Sequence, residues 1–322
     1  MITAKNIITD IKNIARHEED DSEKMDFMMK VIKAARSSNI SRVDISQEEL
    51  EKQRLDSERL SKLVTPTSLV EVQEFTVGDI KCEWVKPKFS HRTDKLIMYC
   101  HGGGYTNGGI SYARILSVKF TQVTGLEVVS FEYRLAPENP YPAAIDDAEN
   151  VWDYIMKMGY GAKDVIIAGD SAGGNLALEL MLRLREEGRM LPKASILMSP
   201  WTDMRLTNNS YDTYADKDPM LTKEYVDLAR KAYAGDDANF EDYHYSPLLA
   251  DLTGMPPCLI QVGSNEILRD DSERLKKKYN KFGSFAKLEV YHGCWHVFQQ
   301  MPIAKATQAM NNVKEFVAQI VT

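Results

Sequence analysis

The sequence predicts an α/β protein, with a mostly parallel central sheet flanked by helices. Three observations carry that prediction. Short apolar runs alternate with amphipathic stretches from residue 95 to the C-terminus. A glycine-rich loop, Cys100-His101-Gly102-Gly103-Gly104-Tyr105, follows one apolar run. A second run, Val165-Ile166-Ile167-Ala168, turns into a helical pattern through Gly169-Asp170-Ser171-Ala172-Gly173. Strands alternating with helices imply parallel pairing, because each crossover returns the chain to the same end of the sheet.

Taken in order, residues 1–62 pattern as helices. Ile7, Ile8, Ile11 and Ile14 recur at helical spacing, as do Met25, Met28, Met29 and Ile32, with a charged turn at Glu18 to Asp21. These Met-rich faces read either as core or as a deformable cover over a site. Residues 47–63 read as a charged surface helix or linker. From residue 69 the period becomes two. Val70, Val72, Phe75 and Val77, then Gly78-Asp79, then Ile80, Cys82, Trp84 and Val85 predict a β-hairpin. Further strands are expected at Lys95–Cys100, Val128–Tyr133, Val165–Ala168, Ser195–Met198, Cys258–Val262 and Lys287–Tyr291. Helices are expected near 112–124, 142–158, 173–187, 270–282 and 303–320. Residues 202–247 carry no strand pattern and one helical stretch near Thr222–Tyr233, so they read as an insertion. The domain scheme is 1–62, 63–201, 202–247 and 248–322.

The 322 residues carry a formal charge of −7, with 43% hydrophobic and 27% charged residues. This is ordinary for a globular protein, and no basic cluster points to nucleic acid or an anionic membrane. No stretch approaches 18 apolar residues, and the N-terminus lacks an apolar signal-peptide core, so neither stable membrane association nor export is expected. Cys82, Cys100, Cys258 and Cys294 are spread without a C-x-x-C pair and read as reduced thiols of a cytoplasmic protein.

Glycines flanking Ser171 permit the sharp strand-to-helix turn that projects a serine hydroxyl at the carboxyl edge of a sheet. The bland alternative is a helix start with Asp170 or Ser171 as cap. Three other stretches weigh against it. His101-Gly102-Gly103-Gly104 can aim backbone N–H groups at an oxyanion. No Gly-Lys-Ser/Thr follows to make it a phosphate loop. The N–H groups of Gly103 and Gly104, with that of Ala172, would form the oxyanion hole, while His101 organises the loop. His292-Gly293-Cys294-Trp295-His296 supplies His296 as general base after the last strand, with His292 structural. No fourth ligand makes this a metal site. Gln261 to Ser272 supplies an acid to orient the imidazole, either Glu266 or Asp270, the latter equally suited to capping the next helix.

Together these motifs resemble the hormone-sensitive-lipase-like branch of the α/β-hydrolases, over about residues 65–320. The markers are His101-Gly102-Gly103-Gly104, Tyr133-Arg134-Leu135-Ala136-Pro137-Glu138 with Pro142-Ala143-Ala144, Gly169 to Asn175, Ser199-Pro200-Trp201 and His296. The resemblance implies an α/β-hydrolase fold with a helical cap, built from the N-terminal helices and an insertion after the strand leading to Ser199. It implies carboxylic-ester hydrolysis without metal or cofactor. Its register places the acid at Glu266, where the family usually has Asp, with Leu268 and Asp270 in the expected following places. The expectation is a serine esterase acting on short acyl esters, with Ser171, Glu266 and His296 as triad. An amide deacetylase or lactonase would use the same residues. A non-catalytic small-molecule receptor is disfavoured because all three are present. The last strand, if at a sheet edge, offers a surface for a homodimer.

Overall fold

A computed structural model of the chain describes residues 25–33, 47–65 and 67–321. The isoleucine pattern at 7–14 and the acidic run at 18–21 lie outside them. Two N-terminal helices, α1 (25–33) and α2 (Gln47–Val64), precede a hairpin of β1 (Val70–Val77) and β2 (Ile80–Pro87). There follow β3 (Leu96–Cys100), α3 (Ile110–Thr124), β4 (Glu127–Phe131), α4 (Ala143–Lys157), β5 (Val165–Asp170), α5 (Ala172–Glu186) and β6 (Ala194–Met198). Then come α6 (Lys223–Ala234), β7 (Cys258–Gly263), α7 (Arg269–Lys281), β8 (Ala286–Tyr291) and α8 (Ala304–Val321). Thr222 caps α6 by accepting from the Tyr225 N–H. Between residues 202 and 247 the described chain has a helical turn at Ser210–Thr213, α6 and a short 3-10 start at Pro247, and no strand.

The eight strands form one sheet in the order β1-β2-β4-β3-β5-β6-β7-β8. The hairpin joins antiparallel to β4, and every pairing from β4 through β8 is parallel. This is the mostly parallel sheet expected from the alternation, in the arrangement that the resemblance implies. The central strands are buried along their whole length, as continuous apolar runs in a parallel sheet require. Successive residues serve opposite faces. Leu96 and Met98 pack with Trp152 of α4 and Leu176 of α5, while Ile97 and Tyr99 pack with Phe120 of α3 and Val313 of α8. A third cluster joins Met25 and Met28 of α1 to Trp295, Phe298 and Ile303 after β8.

The strand order reverses between β3 and β5: the chain leaves β3 for β4 on one side and returns to β5 on the other. In an open parallel sheet this switch point leaves a crevice at the strands' carboxyl ends, where ligands bind. The glycine-rich loop leaves β3 there, and Ser171 leaves β5 there.

Candidate active site

Ser171 is the hinge between β5 and α5, with φ 53° and ψ −121°. A β-carbon-bearing residue in this region is strained, and the fold holds it there by packing and hydrogen bonds on both sides. The Ser171 N–H donates to the Met198 carbonyl (2.9 Å), and its own carbonyl accepts from Trp201 N (3.0 Å) and Gly174 N (3.0 Å). Gly173 is obligatory for close approach. A Cβ there would lie 2.1 Å from the Cys100 carbonyl oxygen and 2.5 Å from that of His101. The first turn of α5 is thereby pressed onto the loop leaving β3.

His296 follows β8 in a loop, 125 residues from Ser171 in sequence, and its Nε2 lies 2.9 Å from Ser171 Oγ. Its Nδ1 lies 2.9 Å from Glu266 Oε2. A carboxylate only accepts, so Nδ1 carries the proton and Nε2 is free to accept from the serine hydroxyl. All three side chains are buried, Ser171 keeping a small exposure. Burial by itself depresses the basicity of His296. The hydrogen bond and charge of Glu266, with the charges of Asp218 and Asp170, outweigh it and raise the imidazole pKa above its ordinary 6.5.

Asp270 stands elsewhere. It is in the first turn of α7 and accepts from the Ser210 N–H at 3.0 Å. Of the two carboxylates left open by the local pattern, Glu266 is the one that meets the imidazole. Its second oxygen, Oε1, accepts from Ser199 Oγ (3.0 Å) and from the Gly263 N–H. Ser199 in turn accepts from the Val297 N–H (3.1 Å), tying the acid to the backbone next to His296. Sequence reasoning assigned Ser199 no task. The available signal was its place at the carboxyl end of β6, between the strands that deliver Ser171 and Glu266.

Gly103 and Gly104 line the same cavity as Ser171 and His296. Gly103 has φ 116°, and Asn107 packs where a Cβ would be. Among the described residues, no acceptor takes the N–H of Gly103, Gly104 or Ala172. His101 is fully buried, stacked on Tyr133 (4.2 Å between centroids), and donates from Nδ1 to the Gly102 carbonyl (2.7 Å). Burial lowers its pKa to about 4, so it stays neutral inside the loop. Asp170, beside the nucleophile position, accepts from Gly102 N (2.8 Å), Tyr112 Oη (2.9 Å) and Tyr99 Oη, and so moors that loop to β5. Arg54 of α2 grips it from outside, donating to the carbonyls of Thr106 and Ala136 (each 2.8 Å) while paired with Glu138.

The cavity over Ser171 is about 210 Å³, walled by Tyr112, Trp201, Leu221, Tyr225, Val226 and Leu268. A larger groove of about 810 Å³ runs between α2 and the hairpin and meets the site at Tyr112. Charged residues of its lining pair with one another, as in Lys62–Glu58, Arg114–Glu74 and Lys81–Glu132, and among the described residues it holds no histidine. Among the described residues no group of three His, Cys, Asp or Glu side chains is arranged to hold a metal ion.

Comparison with known proteins agrees with this architecture. Residues 97–300 match the family model described as the alpha/beta hydrolase fold. An esterase of Acinetobacter venetianus is 36% identical over 261 residues, covering 80% of this chain and 86% of the relative. An acetyl-hydrolase of Streptomyces hygroscopicus is 36% identical over 224 residues, covering 69% and 74%. Among solved structures, an esterase from the bacterial hormone-sensitive lipase family superposes with a TM-score of 0.85 at 30% identity, over 95% of this chain and 100% of that one. Sequence, fold and motif register thus agree, and the chain belongs to the α/β-hydrolases, in their hormone-sensitive-lipase-like branch.

Proposed function

We propose that this protein, a carboxylic ester hydrolase by family, cleaves short-chain esters with Ser171 as nucleophile, His296 as general base and Glu266 as the acid that orients it. The observation that carries the reading is the unbroken hydrogen-bond chain Ser171–His296–Glu266 opening into one cavity. His296 takes the serine proton as Oγ attacks the ester carbonyl, and Glu266 stabilises the imidazolium. The N–H groups of Gly103, Gly104 and Ala172 receive the oxyanion, worth about 3–4 kcal/mol per donor in related chemistry. His296 then protonates the departing alcohol, and water cleaves the acyl-enzyme by the reverse sequence.

Substrate size follows from the cavity. At about 210 Å³ it is smaller than the roughly 300–1,000 Å³ of sites for larger ligands. Each added methylene gains about 0.8 kcal/mol only while apolar room remains. The acetyl-hydrolase relative points the same way. Of the expected cap segments 1–62 and 202–247, the described parts act together as a two-part cap, α2 bracing the loop after β3 and α6 walling the cavity. The four buried free cysteines fit a reducing compartment, so the same reading puts the protein in the cytoplasm. The edge strand β8, with Val290 exposed on it and Phe285 exposed just before it, is the surface on which a second copy would pair.

The test is kcat/KM on p-nitrophenyl esters from acetate to palmitate, below their aggregation limits, with phosphonate labelling in parallel. A maximum between two and six carbons and a single adduct at Ser171 are expected, both abolished in Ser171→Ala apart from a residual of roughly 10³–10⁴ over water. A maximum at ten carbons or more overturns the size assignment. Near-normal turnover in Ser171→Ala overturns the nucleophile.

A further inference from the structure

We propose that Asp218 is a positioning residue of the triad: from the 202–247 segment, its one carboxylate fixes both the backbone that carries Glu266 and the cavity wall at Met220–Leu221. The inference rests on the triad reading above and names a residue outside it.

Asp218 is fully buried. Its Oδ2 accepts from the N–H of Ile267 at 2.9 Å, the residue directly after Glu266. Its Oδ1 accepts from Met220 N (2.8 Å) and Leu221 N (3.0 Å). Met220 and Leu221 both line the cavity over Ser171. One side chain therefore ties a segment that shapes the substrate cavity to the loop that carries the acid, across 49 residues of sequence. The segment is itself braced, since Asp218 N donates to the Tyr214 carbonyl (2.8 Å) and Lys33 of α1 donates to the Asp216 carbonyl. A displacement of the 214–222 stretch is transmitted to Glu266 through this bond, and a shift of about 1 Å in a catalytic group costs up to about a hundredfold in rate.

The carboxylate also acts through its field. Charged groups reach His296 from three elements: Glu266 from the loop after β7, Asp170 from the end of β5, and Asp218 from the 202–247 segment. Each stabilises the imidazolium. Burial pushes the Asp218 carboxyl up from its ordinary value, and the charge of His296 with the N–H bonds of Leu221 and Ile267 draws it back. Removing the Asp218 charge destabilises the imidazolium, so His296 stays neutral, and able to act as base, to lower pH.

The experiment compares wild type with Asp218→Asn, reading kcat, KM and the pH dependence of phosphonate capture at Ser171. Asp212→Asn on the same segment, an exposed acid paired with Lys223, is the control. In Asp218→Asn, kcat is expected to fall about 10- to 100-fold, and the acid limb of capture to move to lower pH by about one unit, with the control unchanged on both. Asp218→Ser serves if the Asn variant fails to accumulate. A folded variant with an unmoved acid limb overturns the proposal, as does a chain that folds with neither substitution, because Asp218 would then belong to the scaffold. Absence of capture at Ser171 in the wild type would instead defeat the triad reading itself, so the two failures are told apart.

Discussion

Ser171, His296 and Glu266 each depend on a neighbour that does no chemistry. Ser199 holds the second oxygen of Glu266 at 3.0 Å, so the acid presents its other oxygen to the imidazole in one orientation. Glu266→Gln is accordingly expected to lower kcat by up to about 10⁴, since an amide supplies no charge for the imidazolium and permits the wrong tautomer. Asp270→Asn, which touches only the Ser210 turn, is expected to change kcat less than about tenfold. Steady-state kinetics on the two folded variants decide the ranking, and the reverse order moves the role to Asp270. The pH profile follows from the same contacts. The base acts only when neutral, and its pKa in the fold lies above 6.5. Activity is therefore present at alkaline pH and lost as pH falls through that raised value. The acid limb of kcat/KM between pH 5 and 9 is expected to have its midpoint above 6.5, and a midpoint below 6.5, or a flat profile, contradicts the assignment.

At the scale of elements, the site is a meeting of four strand ends under one helix start. β3 delivers the glycine-rich loop, β5 the serine, β7 the acid and β8 the histidine, and α5 begins where the oxyanion is expected. Gly173 is the contact that lets α5 approach β3 closely enough. In Gly173→Ala the methyl would meet two backbone carbonyls, which cannot rotate away as side chains do. A loss of about 1–3 kcal/mol in stability, with a displaced oxyanion loop and a fall in kcat, is the expected outcome. Gly188→Ala, at a left-handed turn (φ 68°) with open space around it, serves as comparison: it is expected to lose about 1–2 kcal/mol of stability through backbone strain alone and to leave kcat unchanged. Thermal unfolding and kinetics on both variants check this. Equal kcat in the two would show that the helix–strand approach does not set the site.

Across the whole molecule, the N-terminal helices are bound into the structure at the points that matter for the site. Met25 and Met28 are buried on Trp295 and Phe298, which flank His296 in sequence, and Arg54 grips the loop after β3. The Met-rich helix thus serves the His296 loop as core. Deleting residues 1–35 removes that packing. Two buried methionines are worth about 1.5–3 kcal/mol each, so a lower Tm, a higher KM and increased binding of an apolar dye are expected, with the sheet still formed. Unchanged KM and dye binding would show that α1 plays no part in the site.

Much of this was legible in the chain itself. The alternation of period-two and helical patterns located the elements to within a few residues, as at α6, expected near Thr222–Tyr233 and found at Lys223–Ala234. Such patterns report which side of an element faces the core, a local property. The elbow at Ser171 and the glycines after β3 were legible for a related reason: their backbone geometry demands particular residues at consecutive positions. The tertiary structure alone decided what meets across long separations. Which carboxylate reaches His296, how Ser199 steadies it, and how Asp218 reaches the backbone beside Glu266 all depend on the order of strands in the sheet and on side chains brought together from 30 to 98 residues apart. A hydrogen bond is made or lost within about half an ångström, and no periodicity along a sequence carries that precision.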